Sequence, residues 1–340
     1  MLLKSETLQL KGIAIFIMVF LHLFNRKENV DLCLTYINVL DEPLISQLAK
    51  FSEICVPLYL FLSGYGLYII FQNEGNIHPL RRIFKLYLHL WVVILCFIPL
   101  AYIISPLSYP KNIWTFCENI TAWKTSYNWE WWFIFPYVLL LSIANYIFKY
   151  IQRRNFFYTF IVSCVIYTAS YLCISFYKPF LKEYYILFHI AESLRMSCSF
   201  VWGAIFVKYD ILDKIKRTVI FRKKYTNALL FLLLLLSIVI RALISIHAAS
   251  VLFMVFIVCW FTLIDKSKAF GNVLMKLGRH STNIWLVHTF FCYYLFHDFI
   301  YSLQYPIVII IVVLGLSLIS SVILEKIYQI ISNKLLYIKV

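Results

Sequence analysis

Charge is what this chain of 340 residues has least of. Only 14% of it is Asp, Glu, Lys or Arg, whereas 62% is hydrophobic, which lies outside the range of soluble globular domains. The acidic residues are scarcer still, 16 against 31 Lys and Arg. No run of those cations stands beside stacking aromatics, so nucleic acid is excluded as a partner. Glycine is sparse at 8 residues, and no internal repeat is visible. The chain therefore shows neither the repeat symmetry nor the paired broken helices of a secondary transporter. The nine cysteines (Cys33, Cys55, Cys96, Cys117, Cys164, Cys173, Cys198, Cys259 and Cys292) are scattered singly. None forms a CxxC or a Cys/His cluster at metal-ligand spacing, so no metal is expected and most should be small apolar residues in helices. Cys33 and Cys117 fall in expected outer loops, where pairing is open. There is no low-complexity linker and no soluble segment, and residues 1–340 read as one integral-membrane domain. No small-residue cleavage site interrupts the apolar run to Phe24, so the first span is expected to be retained.

What the chain does have is long apolar runs. They begin near residues 10, 54, 83, 131, 156, 184, 226, 248, 282 and 306, which predicts an all-α, polytopic transmembrane bundle of about ten spans in a lipid bilayer. The seventh and eighth runs nearly fuse around Arg241 to Ser250. With a cytoplasmic N-terminus, the inner segments collect most of the Lys and Arg. They hold Lys4 and Lys11; Arg81, Arg82 and Lys85; Lys149, Arg153 and Arg154; a dense stretch from Lys208 to Lys224; and the cations between Lys266 and Lys339. That asymmetry places both termini in the cytoplasm. The outer loop from Pro106 to Trp132 is rich in tryptophan instead (Trp114, Trp123, Trp129, Trp131, Trp132). An interfacial aromatic belt and stacking on sugar faces both account for these rings.

The first span contains an ionisable residue, which is costly in a bilayer and marks a functional site by default. His22 follows Lys11 by eleven residues, so the two lie within about 20° of one helix face, roughly 16 Å apart. A cation then stands at the start of the span and a titratable base about halfway across. Four further groups carry candidate chemistry. Ser63-Gly64-Tyr65 allows close helix approach. Arg81, Arg82 and Lys85, at the inner start of the third span, are either topogenic or a phosphate clamp. Glu130 and Trp132 enter the fourth span from outside, where an exposed carboxylate is ordinary. Glu192 and Arg195, at i and i+3 in the sixth span, form an ion pair or a site. Finally, Gly278-Arg-His-Ser281-Thr-Asn-Ile-Trp-Leu-Val-His288 offers Ser281 as a helix N-cap at the inner surface, with His288 about 10 Å into the membrane.

Taken in order, these motifs resemble the acyltransferase 3 family of membrane O-acyltransferases. Lys11 and His22 match its Arg/Lys, ten residues, His element. Cys55-Val-Pro-Leu-Tyr-Leu-Phe-Leu-Ser63-Gly64-Tyr65 is similar to its second-helix pattern. Arg82 and Lys85 align with R-x-x-R, Trp132-Phe-Ile-Phe-Pro-Tyr137 with W-F-L, and Phe200-Val-Trp-Gly203 with F-x-x-G. Gly278 to His288 is similar to its G-x-x-S-x-x-I-Y-L-x-H ending. Cys55, Lys85 and Trp285 depart from the usual Gly, Arg and Tyr, and lysine lacks the bidentate fork of arginine. The resemblance implies a multi-pass protein of the cytoplasmic (inner) membrane that uses cytoplasmic acyl-CoA, most simply acetyl-CoA. The acceptor it implies is a hydroxyl of an extracytoplasmic or lipid-linked saccharide. It casts His22 as general base or acyl relay, and Lys11, Arg81, Arg82 and Lys85 as donor-binding residues. Tyr65, Glu130, Trp132, Arg195 and His288 are then acceptor-side candidates. A saccharide transporter or flippase without acyl transfer is the rival reading.

Overall fold

The computed structural model describes residues 1–39, 41–109, 112–217, 226–244 and 247–336; Lys111, Arg222, Lys223, Lys224 and Lys339 lie outside them. A backbone in hydrocarbon must satisfy its own hydrogen bonds, and an apolar chain does so as helix. Ten main helices carry the described chain: α1 (Lys4–Phe24), α2 (Cys55–Glu74), α3 (Pro79–Ile104), α4 (Ile134–Arg153), α5 (Phe156–Glu183), α6 (Tyr185–Lys208), α7 (Thr226–Leu243), α8 (Ser250–Leu263), α9 (Lys268–Thr289) and α10 (Pro306–Leu336). The strands among the described residues are two dipeptides, Asn38–Val39 antiparallel to Glu42–Pro43. The fold is all-α, as the apolar runs predict.

Local chemistry sets several boundaries. Pro79 opens α3, at the helix start where its missing N–H costs nothing. Gly75 closes α2 in the left-handed conformation (φ 70°). The Asn155 side chain caps α5 by accepting from the Tyr158 amide at 2.8 Å. Near its far end α5 kinks at Tyr177, two residues before Pro179.

The start of one expected span needs correction. Seven segments of the described chain are long and apolar enough to cross a membrane: Lys4–Phe24, Leu44–Glu74, Pro79–Ile104, Trp129–Arg153, Phe156–Glu183, Tyr185–Lys208 and Pro306–Lys334. Thr226–Arg241 and His247–Leu263 are apolar but shorter, the pair whose boundary is blurred in the sequence. The ninth run does not begin near 282. Its helix, α9, starts at Lys268, because Lys276, Arg279 and His280 dilute the hydropathy without breaking the helix. Ser281 is consequently buried in mid-helix and caps nothing.

The chain forms two compact units. The first is Met1–Met18, Gln47–Pro79 and Pro136–Gly278. Within it α2 and α6 touch backbone to backbone at a pair of glycines. A Cβ on Gly64 would lie 1.9 Å from the Phe200 carbonyl oxygen, and one on Gly203 2.1 Å from that of Phe61. Around this contact Phe148 stacks on Phe200 at 5.3 Å and meets Tyr68 edge-on. The second unit is Val19–Ser46, Leu80–Phe135 and Arg279–Val340. In it α3 and α9 run parallel and in register: His89 meets Asn283 and, eight and seven residues further on, Phe97 stacks on Phe290 at 4.8 Å.

Candidate active site

His22 lies in the last turn of α1, within the second unit, and is 9% exposed. The last carbonyls of a helix lack an intrahelical donor. Here tyrosines supply it: the Tyr293 hydroxyl donates to the His22 carbonyl, and the Tyr301 hydroxyl to that of Leu23 at 2.7 Å. Tyr293 also lies edge-on to the His22 ring, with the Arg26 guanidinium 3.9 Å from the centre of the tyrosine ring. The turn that carries His22 is thereby held by residues beyond α9.

Both ring nitrogens of His22 have partners. Nε2 is 3.0 Å from Glu130 Oε2, and Nδ1 is 2.8 Å from His288 Nε2. His288 is fully buried, and its Nδ1 faces the carbonyls of Ile284 at 3.1 Å and Trp285 at 2.9 Å. Donor counting assigns the protons. A carbonyl can only accept, so His288 Nδ1 carries hydrogen; a neutral His288 then accepts at Nε2, so His22 Nδ1 carries hydrogen. The other ring nitrogen of His22, Nε2, faces a carboxylate oxygen of Glu130. Nε2 of His22 is therefore the atom left for proton transfer. His288 has no nitrogen to offer a substrate and acts as the support behind His22.

Glu130 is held as firmly. It belongs to a short 3₁₀ turn, Trp129–Phe133, whose first amides are capped by Asn128: the Asn128 side chain accepts from Glu130 N at 3.1 Å. Asn128 in turn donates to Thr289 Oγ1 at 2.7 Å. The buried Trp131 indole donates to the Leu286 carbonyl at 3.0 Å, and Trp285 donates to the Glu130 carbonyl at 3.2 Å. The end of α9, just before it widens into the π-helical turn Phe290–Tyr294, thus anchors both the histidine and the carboxylate.

The remaining sequence candidates divide between the two units. Arg81, Arg82 and Lys85 stand on the first two turns of α3 in the second unit, Arg81 and Lys85 exposed and Arg82 half-buried. Trp132, also there, is half-buried against Phe133. Lys11, Tyr65 and Arg195 belong to the first unit. The Tyr65 hydroxyl accepts from the Leu2 amide at 2.8 Å. Arg195 grips Glu192 through Nε at 2.8 Å and a terminal nitrogen at 2.6 Å, the ion pair that its i,i+3 spacing allows. Cys33 and Cys117 are both free thiols. Cys33 is buried and donates to the Asn29 carbonyl at 3.3 Å, and burial pushes its thiol up to about 11. Tyr293, Asn128 and Thr289 escape a reading of the sequence, since each acts through hydrogen bonds to residues far along the chain with no motif around it. The Glu130–His22 contact, 108 positions apart in the sequence, has no local signal either.

A family model described as an acyltransferase domain matches residues 9–326, almost the whole chain. No curated protein and no solved structure matches it.

Proposed function

Because the chain belongs to the acyltransferase 3 family, and so is a membrane acyltransferase, we propose that it moves an acetyl group from cytoplasmic acetyl-CoA to a saccharide hydroxyl. The acceptor lies outside the membrane or on a lipid carrier. The observation that carries this reading is His22, buried and pinned between Glu130 and His288. A histidine whose only task is packing does not need a carboxylate on one nitrogen and a second, backbone-anchored histidine on the other.

The step runs as follows. The acceptor hydroxyl enters between Glu130 and His22 and donates to Nε2 of the neutral ring, with the Glu130 carboxylate turned aside. As the hydroxyl oxygen attacks the thioester carbon, its proton passes to Nε2, and Glu130 stabilises the resulting imidazolium. The tetrahedral intermediate expels the coenzyme A sulfur, which takes the proton from Nε2 and leaves as the thiol. General base catalysis of this kind is worth typically about 10²–10⁴-fold. Arg81, Arg82 and Lys85 are suited to the donor phosphates, which guanidinium groups and a helix N-terminus both favour. Lys11 adds a cation on the same helix as His22. Exposed Trp129, beside Glu130, and half-buried Trp132 present aromatic faces to a sugar. Both termini inside and residence in the cytoplasmic membrane complete the reading.

The test is acetyl transfer from labelled acetyl-CoA to membrane glycans by the protein purified and reconstituted in nanodiscs. Transfer is expected from the wild type, and His22→Ala should abolish it at unchanged abundance. Undiminished transfer by that variant rules out His22 as the base, and saccharide movement without consumption of acetyl-CoA would establish a flippase instead.

A further inference from the structure

A second polar cluster stands in the same unit, outside the chemistry just described. His89 on α3 places Nδ1 2.8 Å from Asn283 Oδ1 on α9, and its ring stacks on Tyr328 of α10 at 3.9 Å between centroids. The Asn283 amide nitrogen points to the Ser321 carbonyl at 3.4 Å and to Glu325 Oε2 at 3.3 Å. Two acceptors fix that nitrogen as the donor end, so Asn283 Oδ1 accepts from His89 Nδ1–H. Glu325 is itself steadied by Gln329 at 3.3 Å. The arrangement settles the tautomer of His89 and leaves its Nε2 as a hydrogen-bond acceptor that meets no donor among the described residues.

Its position along the helices is informative. His89 follows Arg82 and Lys85 by seven and four residues on one face of α3, about 10 and 6 Å further along the axis. Asn283 precedes His288 by five residues on the parallel α9, about 8 Å. His89 therefore stands between the proposed phosphate clamp and the level of the His22–His288 pair. The pantetheine arm of coenzyme A has the matching metric. Extended backbone rises roughly 1.15 Å per skeletal bond, which puts the pantoyl–β-alanyl amide nitrogen, seven bonds from sulfur, about 8 Å from it. The first phosphate oxygen lies five bonds beyond that nitrogen, about 6 Å.

Resting on the acyl-CoA reading above, we propose that His89 Nε2 accepts a hydrogen bond from the pantoyl–β-alanyl amide N–H of the donor, with Asn283, Ser321 and Glu325 as the supports that hold the ring in the accepting tautomer. The contact registers the arm so that a donor gripped at α3 delivers its thioester to His22.

The experiment compares coenzyme A with its depsi analogue, in which that single N–H is replaced by oxygen, as competitors of labelled acetyl-CoA for the full-length protein in nanodiscs. The wild type should favour the amide by about 3- to 10-fold, the worth of one neutral hydrogen bond. His89→Asn keeps a nitrogen for Asn283 but removes the Nε2 acceptor, and it should show no preference. Absence of a preference in the wild type overturns the proposal, whatever the variant does. A preference of equal size in both proteins overturns it too. Failure of the wild type to bind labelled acetyl-CoA at all removes the donor reading itself, a separate result.

Discussion

His22 is the residue at which side-chain chemistry and helix termination meet, since α1 ends two residues after it and Tyr293 satisfies its carbonyl. The ring is thus positioned from behind by His288, from the side by Glu130 and from below by its own backbone. Glu130→Gln keeps the size of the side chain but removes the charge that stabilises the imidazolium, and its amide can donate to Nε2 and block it. We expect a loss of about 10²-fold in kcat with the acetyl-CoA KM little changed, measured by steady-state transfer kinetics. The double variant Arg81→Ala/Arg82→Ala should behave oppositely, raising the acetyl-CoA KM by roughly tenfold or more with kcat and the acceptor KM nearly preserved. An unchanged dependence on acetyl-CoA concentration would leave those arginines a purely topogenic role.

Helices here are placed by what they can approach as well as by their hydropathy. The Ser63-Gly64 and Phe200-to-Gly203 elements, which resemble family motifs in the sequence, turn out to be one contact viewed from its two sides. Each glycine faces a main-chain carbonyl of the other helix, a separation that no Cβ tolerates. Gly64→Ala should therefore force α2 and α6 apart at a cost of about 1–3 kcal/mol. In a detergent melt it should lose several degrees relative to Gly66→Ala, a site on the same helix with nothing within 4 Å of a built Cβ. Equal melting temperatures for the two variants would contradict the packing described. α9 carries the complementary lesson. Its hydropathy marks only the second half, yet the helix extends back to Lys268, because a helix needs regular backbone hydrogen bonding and not uniform apolarity.

For the whole molecule the decisive quantity is orientation. Cationic segments tend to stay on the cytoplasmic side, so Lys214 is expected in the interior and the Ile113–Ile120 helix at the exterior. Cys117 on that helix is exposed, as is Lys214. A protein retaining Cys117 as its sole cysteine should react with an impermeant thiol reagent on intact cells. Lys214→Cys in a background cleared of native cysteines should react only after the membrane is opened. The reverse pattern would put Arg81, Arg82 and Lys85 on the side without acetyl-CoA and end the donor-inside mechanism.

Much of this was decided by the chain itself. Apolar runs of bilayer length force helices, because hydrocarbon offers the backbone no other hydrogen-bond partner. A histidine inside the first run is expensive enough to mark itself as a site, and most main-helix starts fall within a few residues of where hydropathy changes. The partners of that histidine were not legible. Glu130 looks like an ordinary interfacial carboxylate and His288 like one more polar residue in a bundle, for nothing in the neighbourhood of either names the other. Only the packing of α1, the Trp129–Phe133 turn and the end of α9 brings the two imidazole rings and the carboxylate to hydrogen-bond distance. The physical reason is range: hydropathy and helical period act over a few turns of one segment, whereas a proton path is made of contacts between atoms whose separation in sequence carries no information about their separation in space.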